Sequence, residues 1–73
     1  MKRYLTIDGG TTNTRLALAE DGKIADRIKI PAGAGNTERP AMCALLHDAI
    51  ETMLARHSLS LDDITAILAS LSV

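Results

Sequence analysis

The sequence is short of several things, and each shortage closes a class of function. Cys43 is its only cysteine, which excludes a disulfide framework and a cysteine-rich zinc site within one chain. A lone thiol fits a reducing compartment, so the expected location is the cytosol. Tyr4 is its only aromatic residue, with no Phe and no Trp. A base-stacking platform for nucleic acid would have almost nothing to stack on. An excess of positive charge is missing as well: 8 Lys+Arg stand against 9 Asp+Glu, for a net charge of −1. Nucleic acid and anionic membranes are therefore not expected partners, because both need a basic face. No apolar run approaches the roughly 18 residues of a membrane span. The opening Met1-Lys2-Arg3-Tyr4 leads straight into a strand pattern, so no signal peptide is expected. Length is the last shortage. The 73 residues make one small domain or part of a larger one. A chain of that size buries only about 60% of the surface its unfolded form exposes. Its core is marginal unless a partner or a second copy completes it.

Apolar residues, at 47%, are plentiful enough to exclude disorder. With so few aromatics, the core must come from Leu, Ile, Ala and Met. Residues 3 to 8 alternate, with Leu5 and Ile7 on one face and Tyr4, Thr6 and Asp8 on the other. That pattern predicts a strand ending at Asp8. Gly9-Gly10-Thr11-Thr12-Asn13 is a turn signal. Residues 14 to 20 alternate again, with Leu16 and Leu18 on one face. Asp21-Gly22 suits a tight hairpin. Residues 23 to 30 give a third strand, with Ile24, Ile28 and Ile30 together and Ala25, Arg27 and Lys29 opposite. Three strands joined by short turns make an antiparallel meander.

Residues 31 to 40 read as a loop, and Pro40 fits the first turn of a helix. Met42, Leu45, Leu46, Ala49, Ile50, Met53 and Leu54 then recur at helical spacing, ending near His57. Met42 and Met53 read as core, and Cys43 as a small packing residue. His47 belongs to the solvated face. His57 complements the dipole of the helix end. Ser60 is placed to cap a short turn, and Asp62-Asp63 reads as a cap rather than a metal pair. Ile64 to Ala69 is almost continuously apolar, as in a strand buried on both faces. A helix packed on the sheet returns the chain beside a parallel neighbour, most simply the first strand. The expected order is βββαβ. The last strand then lacks its next neighbour, so either a longer sheet or a second copy is expected to cover it.

Asp8-Gly9-Gly10-Thr11-Thr12-Asn13 is the segment with chemical content. Glycines let the backbone approach a ligand closely. Successive N–H groups in such a turn form an anion-binding concavity, and Thr11 and Thr12 add hydroxyl donors. Asp8, at the strand end, has the hard oxygens that Mg²⁺ takes directly or through water. The same residues also make an ordinary polar hairpin turn, and spacing alone does not separate the two. A Walker loop is excluded, since no Gly-Lys-Ser/Thr follows and a strand comes next.

Followed by Arg15, this segment resembles the first phosphate loop of the sugar kinase, Hsp70 and actin superfamily. More narrowly, Thr-Asn-x-Arg after Asp-x-Gly-Thr resembles the 2-keto-3-deoxygalactonate kinase family (2-dehydro-3-deoxygalactonokinase). The segment from Ile64 to Ser70 is similar in position to that family's Ile-x-Ala-x-Leu-Ala-Ser. The resemblance spans the chain but only about the first quarter of such a kinase. It implies an α/β, ribonuclease H-like (actin-like ATPase) partial domain over residues 1–73. It implies an enzyme of galactonate catabolism that moves the γ-phosphoryl group of ATP to a sugar acid, with Mg²⁺ near Asp8. By the same resemblance, Gly9, Gly10, Thr11, Thr12 and Asn13 would form the nucleotide-phosphate site, and Arg15 would meet the acidic sugar. Phosphoryl transfer is mostly positioning and charge neutralisation, so these roles cohere. The catalytic base, second phosphate loop and adenosine pocket would come from later sequence, so this chain alone is expected to be inactive. Two departures bear on the substrate side. The family usually has Trp where Gly9 stands, and continues with Gly-Met where this chain has Leu71-Ser72-Val73. Two rival readings stand beside this one. One is a same-superfamily kinase for another substrate such as pantothenate. The other is a non-catalytic α/β module that self-associates through the final strand.

Overall fold

The computed structural model describes residues 1–33 and 35–71. Ala34, Ser72 and Val73 lie outside the described residues, and with them one position of the expected loop and two of the departure from the family pattern. Three strands come first: β1 (Arg3–Gly9), β2 (Thr14–Glu20) and β3 (Lys23–Ile30). Helix α1 (Arg39–Arg56), a one-turn 3-10 helix (Leu61–Asp63) and β4 (Ala66–Leu71) follow. The sheet order is β3-β2-β1-β4, with β1–β2 and β2–β3 antiparallel and β1–β4 parallel. The protein is thus an α/β unit with a four-stranded mixed sheet and one helix, in the expected βββαβ order.

The alternation of β1 and β2 works as read. Leu5 pairs with Leu18 and Ile7 with Leu16, so one face of the sheet presents a continuous aliphatic surface. Helix α1 lies over β2 and β3 on that face, where Ala49 and Met53 join Leu5, Leu16, Leu18, Ile30 and Ala32 in the core. The β2–β3 turn has Asp21 at φ 49° and Gly22 at φ 85°, the pair of left-handed residues that matches strand twist in a two-residue hairpin.

The expected faces of β3 need correction. A bulge between Leu18 and Ala19 leaves Ala25 unpaired, so Leu18 faces Asp26 and Ala19 faces Ile24. An extra residue reverses the alternation beyond it. Ile24 therefore leaves the core side and is exposed, while Asp26, still in register with Ile28 and Ile30, faces the helix side. There its carboxylate accepts hydrogen bonds from His57 Nε2 at 3.0 Å, Arg56 Nη1 at 3.3 Å and the Arg27 amide at 2.7 Å. His57 thus does more than complement the helix dipole: it ties the helix end to β3.

The His57 hydrogen bond, then the Arg27 amide, hold the Asp26 carboxyl below its usual value near 3.8, with Arg56 adding less. A carboxyl lowered on folding contributes stability that is full above its unfolded value and lost as pH falls through its folded value. Urea midpoints measured at about pH 6 and about pH 3 should differ less in Asp26→Asn than in the parent. Asp63, lowered chiefly by the Ser60 amide, retains its own share of acid sensitivity in that variant.

The helix ends in a Schellman motif: Leu59 N–H donates to the Leu54 carbonyl at 2.9 Å and Ser58 N–H to Ala55 at 3.2 Å. Ser58 takes the left-handed position at φ 54° where glycine is usual. The 3-10 turn is capped as expected, with Asp63 Oδ2 accepting from the Ser60 amide at 2.8 Å. Three readings of burial change. Leu45 is exposed, because α1 packs mainly on β3 and β2 and its contact stripe is narrow. Cys43 is also exposed, and so is not a packing residue. The final strand begins at Ala66 rather than Ile64, and is not buried on both faces. Ile67, beside Leu5 on the helix side, is 48% exposed at the sheet edge, and Leu68, beside Thr6, is 56% exposed on the face away from α1.

No helix is long and apolar enough to cross a membrane among the described residues.

Candidate functional site

Asp8 and Arg15 are register partners at the turn end of the β1–β2 hairpin. Alternation places both on the sheet face away from α1, since Ile7 and Leu16 occupy the core side. Lys29 pairs with Arg15, and Ser70 pairs with Asp8. One row across the sheet therefore reads Lys29, Arg15, Asp8, Ser70. Beyond it the chain turns through Gly10-Thr11-Thr12-Asn13.

The strand ends and the turn enclose an open cleft of about 280 Å³, lined by Asp8, Gly10, Thr11, Thr12, Asn13 and Arg15. Six of the seven residues singled out in the sequence thus meet in one place. The seventh, Gly9, is buried in the sheet between Thr14 and Leu71 of the neighbouring strands and does not line the cleft.

The donors of the turn fall into two sets. The Gly10 amide is committed internally, donating to the Asn13 carbonyl at 2.8 Å. The amides of Thr11, Thr12 and Asn13 donate to no protein acceptor among the described residues. Asn13 Nδ2 donates to the Thr12 hydroxyl oxygen at 3.1 Å, which leaves the Thr12 O–H proton free to donate elsewhere. Asp8 is exposed, and its carboxylate has no hydrogen bond or ion pair with any described residue. Asp8 and Arg15 face each other in register without forming an ion pair. The row thus presents two cations and one carboxylate beside a turn of unspent donors. That arrangement is able to hold an oligoanion against Arg15 and the amides, with a hard cation at Asp8.

A second loop braces the turn from behind. Thr14 Oγ1, only 2% exposed, donates to the Ala32 carbonyl at 2.8 Å. The Gly35 amide donates to the Thr11 carbonyl at 2.8 Å. Asn36 Oδ1 accepts from the Gly33 amide at 2.9 Å and from the Thr37 hydroxyl at 2.8 Å, while Asn36 Nδ2 reaches the Thr12 carbonyl at 3.4 Å. Sequence reasoning missed Lys29, Gly33, Gly35 and Asn36. Lys29 was readable only through the β2–β3 register. The Gly-rich loop was visible as a loop, but nothing local says that it lies against Thr11 and Thr12.

Among the described residues one other group brings metal-type ligand atoms together: those of His47, Asp48 and Glu51 on α1, all exposed, lie within 4.8 Å of one another. His47 and Glu51 form an i,i+4 pair at 3.6 Å, which is what a solvated helix face produces. No protein-family model, curated protein or solved structure matches the chain.

Proposed function

We propose that the β1–β2 turn is a phosphate-binding loop for Mg·ATP, and that the chain is the amino-terminal segment of an ATP-dependent sugar-acid kinase of ribonuclease H-like fold. The observation that carries this reading is the cleft itself: a carboxylate at Asp8 and three amides, all without partners among the described residues, line one open concavity with Arg15. The charges suit a magnesium nucleotide, since a polyphosphate satisfies the turn's donors while Asp8 offers oxygen to the cation. Asp8 is the residue that would hold Mg²⁺, whose chemistry is to neutralise charge on the phosphoryl oxygens during transfer. Thr11 and Thr12 would donate their hydroxyls to the phosphates, and Arg15 would orient the acidic acceptor. That the acceptor is 2-keto-3-deoxygalactonate rests on the resemblance of the Asp8–Arg15 segment alone. The base and the adenosine pocket belong, by the same resemblance, to further sequence.

The test is a titration of the ¹⁵N-labelled chain with Mg·ATP. Amide shifts are expected at Thr11, Thr12 and Asn13, with the resonances of α1 unmoved. Asp8→Asn should weaken the apparent affinity at least about tenfold, the loss of one charge-assisted contact. An unchanged titration in Asp8→Asn would remove the metal role. A second reading, a non-catalytic module that self-associates through β4, draws on the exposure of Ile67 and Leu68 along an uncharged edge. Such a module gives no shifts at the turn with Mg·ATP, so the same titration separates the two.

A further inference from the structure

The turn at residues 10–13 has no regular structure to orient its peptide planes. Something must decide whether its amides face the cleft or its carbonyls do. The Asn13 carbonyl is held within the turn by the Gly10 amide, and two further carbonyls are held from outside, both by the same loop. The Thr11 carbonyl accepts from the Gly35 amide at 2.8 Å, and the Thr12 carbonyl from Asn36 Nδ2 at 3.4 Å. The Asn36 side chain is itself fixed. Its Oδ1 accepts from the Gly33 amide and the Thr37 hydroxyl, so its NH₂ is the end left to face Thr12.

The chain contains no cis peptide among the described residues. In a trans peptide the C=O and the following N–H point in opposite directions. Holding the Thr11 carbonyl toward Gly35 therefore turns the Thr12 amide away from that loop. Holding the Thr12 carbonyl toward Asn36 turns the Asn13 amide away in the same sense. The loop lies on the α1 side of the sheet: Ala32 is in the core beside Ala49, and its carbonyl is held by Thr14, which shares a face with Leu16. Away from the loop is thus the side of Asp8 and Arg15. The glycines make this approach possible. A Cβ on Gly33 would lie 2.4 Å from the Gly10 carbonyl oxygen, and one on Gly35 would lie 2.3 Å from Thr11 Cγ2.

We infer that Asn36 is a positioning residue for the cleft: seated between Gly33 and Thr37, it holds the Thr12 carbonyl on the helix side and so turns the Asn13 amide toward Asp8, as Gly35 does for the Thr12 amide. The orientation of these amides is a property of the free chain. Their use in binding a polyphosphate rests on the function proposed above.

The experiment measures N–H residual dipolar couplings in the free ¹⁵N-labelled protein, then repeats the Mg·ATP titration. Asn36→Asp is nearly isosteric; it keeps both acceptor bonds of Oδ1 and places an oxygen where Thr12 needs a donor. Asn36→Ala removes the side chain without adding charge. In both variants the couplings of Thr12 and Asn13 should change while those of Leu5, Leu16 and Leu18 stay fixed. Both should also bind Mg·ATP at least about tenfold more weakly than the parent, the fold-change of one lost contact to a charged group. Weakening in Asn36→Asp alone would mark a charge effect and overturn the positioning role. Couplings at Thr12 and Asn13 that match the parent in both variants would overturn it outright. If Asn36→Asp fails to fold, Asn36→Ala alone decides. A parent chain that ignores Mg·ATP while both variants shift the couplings would sink the proposed function and leave the clamp standing.

Discussion

Leu16→Ala is expected to be the most destabilising single truncation in the sheet, at about 2–5 kcal/mol. Leu16 is fully buried on the central part of the sheet, with Ile7 beside it on β1 and Ile28 on β3. Truncation leaves a cavity under α1, and collapse into it is limited. The neighbours are aliphatic side chains on three hydrogen-bonded strands, and no Phe or Trp is present to swing into the gap. The loss is large against the whole: a domain of this length is stable by roughly 4–11 kcal/mol. A substantial unfolded fraction is therefore expected at ordinary temperatures. Urea unfolding followed by far-UV circular dichroism measures it, with Leu68→Ala as the control. Leu68 is 56% exposed on the edge strand, and surface truncations shift stability by only about 0.5 kcal/mol. Equal effects at the two positions would mean that α1 does not seat over β2 in solution.

The contrast between these leucines also shows what the sequence discloses. Period-two alternation in β1 and β2 was enough to name Leu5, Ile7, Leu16 and Leu18 as one face, because nothing interrupts the ladder between them. It failed for Ile24, since a bulge leaves no local mark and every residue beyond it changes side. It failed again for Ile67 and Leu68. An apolar run records what a strand tolerates, whereas exposure depends on which strands, and which face of the sheet, the helix covers. Leu45 follows the same logic on the helix. The meeting of Asp8, Arg15 and residues 10–13 in one cleft was legible because a hairpin brings sequence neighbours together in space. Asn36 was not, since it meets Thr12 from 24 residues away and its chemistry appears only when the two loops are side by side.

Gly33→Ala tests that juxtaposition more severely than any polar substitution. The added carbon would sit 2.4 Å from the Gly10 carbonyl oxygen and 2.6 Å from the Thr11 carbonyl carbon and oxygen. All three atoms are backbone, so no rotamer change relieves the clash, and one loop must move off the other. Overpacking of this kind costs about 1–3 kcal/mol. It should fall locally, on the Gly35–Thr11 and Asn36–Thr12 hydrogen bonds. Gly22→Ala is the matched comparison. At Gly22 nothing lies within 4 Å of an added Cβ, but φ is +85°, so the penalty is the left-handed backbone alone, about 1 kcal/mol. The two variants should therefore lose comparable stability by different routes. Amide resonances of residues 10–13 should move in Gly33→Ala and stay in Gly22→Ala, and the response to Mg·ATP should vanish only in the former. Loss of that response in both would tie binding to global stability rather than to the contact between the loops. Retention in both would mean that the turn holds its shape without support from behind.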